Sequence, residues 1–173
     1  SLHKWLLAPI GTGFLYVRKE MIPRIWPLMA APESLTGDIR KFEEIGTHPA
    51  APYLGIADAL TFHEGIGAER KAARLRYLRD RWARPLAAHP NVRLHTSLKP
   101  GFACGIANVE ILGVEPGPLA ADLWRRHRIL ATPISHPECK GLRVTPSVYT
   151  TLEEIDRFAE AIGAIADRGL DSR

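Results

Sequence analysis

The sequence predicts an α/β fold in which one sheet carries helices on one side. Three observations carry this reading. Over the second half of the 173 residues, the segments run strand, strand, helix, strand, strand, helix. The last of them is amphipathic at helical spacing and has a start signal in place. The composition, 46% apolar and 24% charged, is that of an ordinary globular chain and excludes disordered, collagen-like and coiled-coil classes.

Taken in order, Ser1-Leu-His-Lys-Trp-Leu-Leu-Ala-Pro9 reads as a loop. Gly11-Thr12-Gly13 is a turn into Phe14-Leu15-Tyr16-Val17, a short strand by composition. Prolines 23, 27 and 32 break any period between Lys19 and Thr47, so this stretch reads as an irregular surface excursion. Ala51 to Glu64 is helical, and Gly65-Ile66-Gly67 separates it from an Arg-rich helix over Glu69 to Arg84. Pro85 should kink or end that helix, and Pro90 closes the segment. Strands are expected over Val92–His95, Ala103–Leu112, Ile129–Pro133 and Leu142–Val148, with a helix over Pro118–His127. In the final helix, Thr151 and Glu154 form a capping box ahead of the stripe Ile155, Phe158, Ala159, Ile162, Ile165 and Ala166. No internal repeat or low-complexity segment interrupts the chain.

Charge narrows the function classes. The 23 Lys and Arg against 19 Asp and Glu give a net +4, and 17 of the cations are Arg. Many of these crowd Glu69–Arg84, yet Ala72, Leu75, Leu78, Trp82 and Leu86 recur there at helical spacing. That is a buried stripe with charges on the solvated faces, so nucleic acid is not expected as a partner. No apolar run approaches the roughly 20 residues that span a bilayer, so no membrane segment is expected. Two cysteines make no disulfide framework; with no signal peptide, a reducing, cytoplasmic setting is expected. The seven histidines show no zinc-type spacing, and no metal site is expected; His136-Pro-Glu-Cys139 comes nearest. Cys104 falls in an apolar strand and reads as core.

Lys4 is the sharpest position. It stands between His3 and Trp5 ahead of the Gly-Thr-Gly turn. A lysine in a tight, partly apolar loop loses its proton more easily, because desolvation disfavours the ammonium form. The neutral amine can then form a Schiff base with a carbonyl cofactor, while Ser1 and His3 supply donors of the kind that hold a phosphate.

The string SLHKWLLAPIGTGFLYVRK resembles the cofactor-lysine segment of the class V aminotransferases, pyridoxal-phosphate (PLP) enzymes of fold type I. Within that family it is most similar to isopenicillin N epimerase-like members. Phe42-Glu43-Glu44-Ile45-Gly46-Thr47, with Ala57, Leu60 and Ile66-Gly67-Ala68-Glu69-Arg70, resembles the family's Gly-Thr loop and following helices. Leu142-Arg143-Val144-Thr145-Pro146 and Tyr149-Thr150-Thr151-x-Glu153-Glu154-Ile155-Asp156 resemble its C-terminal signature.

The resemblance implies that Lys4 holds PLP as a Schiff base and moves the Cα proton, and that Ser1 and His3 contact the cofactor phosphate. It implies that Thr47 reaches the phosphate of a neighbouring subunit's cofactor in a homodimer, and that Arg143 binds the substrate α-carboxylate. A guanidinium on a strand end also suits that last role on its own chemistry, as a bidentate partner whose charge does not titrate away. Residues 1–48 are then the end of a PLP-binding large domain, 49–90 connecting helices, and 91–173 a small C-terminal α/β domain. The implied function is that of a PLP enzyme acting on an amino acid, of epimerase, aminotransferase or lyase type. Because the motif opens at Ser1, the chain is expected to be the C-terminal part of a longer protein.

Two alternatives stand beside this. A cysteine desulfurase or C–S lyase-like enzyme would use a loop cysteine well upstream of the arginine. Cys139, only four residues before Arg143, does not match it, and Arg128–Ser135 contains no cysteine. The other alternative is a non-catalytic α/β dimerisation module lacking the complete cofactor pocket.

Overall fold

Elements form where the period of the sequence changes. The computed structural model describes residues 1–170, so the last three positions of the segment 91–173 lie outside the described residues. Contacts divide the chain into two units, Ser1–Ile66 and Gly67–Arg173. The helices grouped above as a connecting segment therefore fall one in each unit.

In the first unit, Lys19–Phe42 is the irregular excursion the prolines imply, built from short 3-10 turns at Lys19–Arg24, Glu33–Leu35 and Ile39–Phe42. Its organiser is Lys41, only 5% exposed, whose ammonium donates to the carbonyls of Ile22 and Thr36. A buried cation is tolerated when carbonyl dipoles satisfy it, and here those bonds hold together turns that share no ladder. Asp38 caps the third turn through the Arg40 N–H, and hydrogen bonds from Arg40 hold its carboxyl down at about 2. Helix α1 (Ala51–Ile66) follows.

Phe14–Val17, expected as a strand, belongs to no ladder among the described residues. A strand exists only with a neighbour to bond it, and apolar residues alone do not provide one. Phe14, Leu15 and Tyr16 are all exposed.

The second unit opens with α2 (Ala68–Ala87) and continues through β1 (Val92–Leu94), β2 (Ala107–Ile111), α3 (Pro116–Asp122), β3 (Thr132–His136), β4 (Cys139–Val144) and α4 (Leu152–Arg168). The expected order of elements holds, while the boundaries move. Residues 103–106 are irregular rather than strand, so Cys104 sits in a half-buried loop instead of the core. The helix expected to reach His127 is α-helical to Asp122 and ends in a wider π-turn over Leu123–His127. That turn closes on Arg128 in the left-handed region (φ 56°), where its N–H reaches the Trp124 carbonyl. Helix α2 stops two residues beyond Pro85, which removes one helical N–H in the last turn.

The sheet is antiparallel throughout, in the order β1-β2-β4-β3. Val92, Leu94, Ala107, Val109, Ile111, Leu142 and Val144 share one face and meet the α2 stripe (Leu78, Trp82, Leu86) and the α4 stripe (Ile155, Phe158, Ile162, Ile165). Trp82 stands edge-on to Phe158 with ring centres 5.3 Å apart. The Thr151–Glu154 capping box is present in both directions. The other sheet face carries Arg93, Asn108, Glu110, Gly141, Arg143 and Thr132. At Gly141 (φ 128°) a Cβ would overlap the Val109 carbonyl oxygen, so only glycine lets β4 approach β2 this closely.

Helix α2 also buries charge that the stripe does not predict. Arg79, 2% exposed, donates to the carbonyls of Ala103 and Cys104 and pairs with Asp80 at 2.6 Å. It thereby fixes the irregular segment leading into β2. Burial works to raise the Asp80 pKa, but hydrogen bonds from Arg79 and Arg84 outweigh it and hold the carboxyl below its ordinary value. A depressed native pKa gives stability that is present above the ordinary carboxylate value of about 3.9 and is lost as pH falls through the native value. Urea unfolding below about pH 4 should therefore show stability falling with acidity, and Asp80→Asn should flatten that slope. An unchanged slope in Asp80→Asn would remove this pair as its source.

Candidate active site

The segment around Lys4 is a closed loop. The N–H of Leu2 donates to the Thr12 carbonyl (3.0 Å), and the Leu2 carbonyl accepts from Ala8 N–H (3.1 Å), so both ends are tied to one residue. Inside this ring, Leu7 N–H donates to the Lys4 carbonyl at 3.0 Å, with Leu7 at φ 66°. Thr12, 2% exposed, locks the exit through its hydroxyl on the Pro9 carbonyl (2.7 Å), and His3 Nδ1 lies 3.4 Å from the Thr12 carbonyl. His3 and Lys4 thus lie within this hydrogen-bonded ring, and Ser1 immediately precedes it. Lys4 itself is exposed, so residues 1–66 do not supply the desolvation expected from the sequence.

Helix α1 supports this ring from below. Gly55, in its middle, lies against Pro9, and a Cβ there would come within 2.8 Å of Pro9 Cγ. Ala8 and Ala59 are buried in the same unit.

Thr47 is presented separately, exposed at a turn where Gly46 takes φ 78° and His48 Nδ1 lies 2.9 Å from the Gly46 carbonyl. His48 packs edge-on against Tyr53 of α1, with centroids 5.2 Å apart. A cavity of about 610 Å³ runs between the ring's exit at Gly13–Leu15 and this turn, with Phe42, His48 and Tyr53 among its walls. Ser1, His3, Lys4 and Thr47 are not among the residues that line it.

Arg143 belongs to the second unit. It lies on β4, exposed, and donates to the Thr132 hydroxyl on β3 at 3.3 Å. A cavity of about 270 Å³ opens at the end of β4 between Val144, Thr145, Glu154 and Arg157. Arg143 does not line it, because neighbouring residues of a strand point to opposite faces. Cys139 stands in the β3–β4 ladder opposite His136. Among the described residues, no three His, Cys, Asp or Glu side chains are grouped to hold a metal, and no helix is long and apolar enough to cross a membrane.

Comparison with known proteins fixes the family. The model for "Aminotransferase class-V" matches residues 1–158, and the chain belongs to that family. Isopenicillin N epimerase of Streptomyces clavuligerus is 32% identical over 182 residues, covering 95% of this chain and 46% of that protein. The chain therefore spans about half the length of the curated relatives it matches. Among solved structures, the apo cysteine desulfurase of Thermococcus onnurineus NA1 superposes with a TM-score of 0.78 at 24% identity, over 96% of this chain and 46% of that one. A variant of C-DES with glycine covalently linked to its PLP cofactor gives a TM-score of 0.74 at 21% identity, over 98% and 45%. The fold is thus the C-terminal part of fold type I, an α/β unit with a small antiparallel sheet.

The donor set suits PLP at two of its ends. A primary amine answers the aldehyde, and an imidazole and a hydroxyl one and three residues before it answer the phosphate. What sequence reading missed is the support: the ring closure through Leu2, the lock at Thr12 and the contact at Gly55. The last had a signal, a glycine at mid-helix, where alanine is ordinarily about 1 kcal/mol better. Here the sign should reverse. Gly55→Ala is expected to lower the unfolding midpoint and speed amide exchange at Leu2 and Ala8; a stabilised variant with unchanged exchange would show that the Pro9 contact does not matter.

Proposed function

We propose that the protein carrying this chain is a PLP-dependent enzyme acting on the Cα of an amino acid, with epimerisation as the favoured reaction. The observation that carries the reading is the hydrogen-bonded loop Leu2–Thr12, which contains His3 and Lys4 and follows directly on Ser1. Family membership and the isopenicillin N epimerase relative support it. When bound, PLP supplies the electron sink for the bond broken at Cα.

The chain's own residues would divide the remaining work. Lys4 Nζ carries the cofactor and then moves the Cα proton. The Ser1 hydroxyl and His3 hold the phosphate, and Thr47 adds a donor from the partner of a homodimer. Arg143 takes the α-carboxylate in its fork and so orients the Cα bonds. Residues 1–48 are read as the end of the cofactor-binding large domain and the second unit as the small domain. Support for this comes from α1 and its surroundings, where Tyr53, Leu54, Leu60 and Phe62 are exposed on a helix that is apolar all round. A cytoplasmic setting fits the two free cysteines.

A desulfurase reading is less favoured. Cys139 is held in a ladder four residues before Arg143, where a sulfur-carrying group would have no mobile loop.

Borohydride treatment of the PLP-loaded full-length protein should fix the pyridoxyl group on Lys4, and Lys4→Ala should abolish turnover. Peptide mapping of the label to another lysine would end the assignment, and failure of the full-length protein to take up PLP would favour a non-catalytic module. Arg143→Ala should lower kcat/KM for amino acids by at least about tenfold, since a charge-assisted bidentate pair contributes about 1.5 to 3 kcal/mol, and Arg143→Lys should recover only part. Unchanged kcat/KM in folded Arg143→Ala would remove the carboxylate role.

A further inference from the structure

The sheet face that bears Arg143 contains one polar group without a partner. Asn108 is 8% exposed, and its Oδ1 is buried with no hydrogen bond. It lies in the middle of β2, an inner strand. Ala107, Val109 and Ile111 point into the core, so Asn108 points the other way. Its backbone is occupied: the N–H donates to Thr96 Oγ1 (3.0 Å), and the carbonyl accepts from His95 (3.2 Å). Only the side-chain acceptor is left over. An amide oxygen enclosed in this way is costly unless a donor reaches it at some stage of the protein's work.

The register says which donor is near. Asn108 is directly opposite Arg143 on β4, and Arg143 is directly opposite Thr132 on β3. Directly opposed residues of antiparallel strands have Cβ atoms about 4.5 to 5.5 Å apart on the same face, well within the reach of an arginine. The three therefore form one row across the sheet, with the guanidinium between a hydroxyl and an amide. Thr132 already accepts one of its five N–H groups. The next residue of β4 on this face is Gly141, where a Cβ would lie 2.8 Å from Asn108 Oδ1, so no side chain competes for that space.

We infer that Asn108 is a positioning residue for Arg143, its buried oxygen accepting a guanidinium N–H so that the fork is held between Asn108 and Thr132 while it grips a carboxylate. The inference rests on Arg143 being the carboxylate anchor. A free arginine samples many rotamers; Thr132 already restrains the guanidinium, and the Asn108 oxygen removes most of the remaining freedom once a carboxylate draws the fork into place. Asn108 touches neither the reacting atoms nor the carboxylate; it acts through Arg143.

The test uses the full-length PLP-loaded protein. Asn108→Leu keeps the shape and removes the acceptor. It should raise KM for an amino acid about tenfold, with kcat changed less, and should change kcat/KM less than twofold further when made in the Arg143→Ala background. In protein labelled with ¹⁵N-arginine and saturated with acetate as a simple carboxylate, the Arg143 Nε–H should exchange slowly in the wild type and in Asn108→Asp, which keeps an oxygen there, and quickly in Asn108→Leu. This second measurement decides the matter if Asn108→Leu proves unstable. If Asn108→Leu leaves both KM and exchange as in the wild type, or if its effect persists undiminished without Arg143, the positioning role is wrong while the anchor stands. If Arg143→Ala itself leaves kcat/KM unchanged, the anchor reading fails first and takes this inference with it.

Discussion

The pairing of β2 with β4 is the contact on which the second unit depends. It is the centre of the sheet, and it fixes which residues face the core and which face away from it. With Val109 opposite Leu142, both side chains enter the layer beneath α2 and α4; with Asn108 opposite Arg143, both leave it on the far side. A slip of one residue would exchange these sets, burying a guanidinium and exposing leucine, so the hydrophobic layer enforces the register of the polar row. Gly141 is the geometric condition for this, since any side chain there would push the strands apart. The position of Arg143 is thus a consequence of core packing several residues away.

A second theme is the use of buried cations to organise chain that has no regular structure. Lys41 gathers the turns of the first unit and Arg79 gathers the segment before β2, each by donating to two backbone carbonyls. Irregular chain has carbonyls without ladder partners, and a side chain with several donors can satisfy more than one of them. Neither role was legible in the sequence, where Arg79 read as solvated charge and Lys41 carried no signal. Helical spacing shows which positions are apolar, but it does not show which charge is drawn inward by carbonyls arriving from a distant loop.

Legibility follows the range of the interaction. The capping box at Thr151, the α4 stripe and the alternation of elements depend on neighbours within a few residues, and they were readable. The end of β2, the π-turn before Arg128 and the absence of a ladder for Phe14–Val17 depend on partners elsewhere, and they were not. The proposed site divides in the same way. Ser1, His3 and Lys4 fall within four consecutive residues, so a short motif exposes them. Asn108 lies 35 positions from Arg143 in sequence and becomes its neighbour only through the ladder.

The extended run at Phe14–Tyr16 has a practical side. With Trp26 at 91%, Leu28 at 100% and Leu54 at 73% exposure, the first unit presents far more greasy surface than a small net charge of +4 can keep dispersed. An exposed apolar segment that belongs to no ladder is also free to pair with another strand. Exposure of this kind is the physical basis for hydrophobic-dye uptake and for self-association that rises with concentration. Colloidal behaviour thus depends less on the well-packed second unit than on a few uncovered residues of the first.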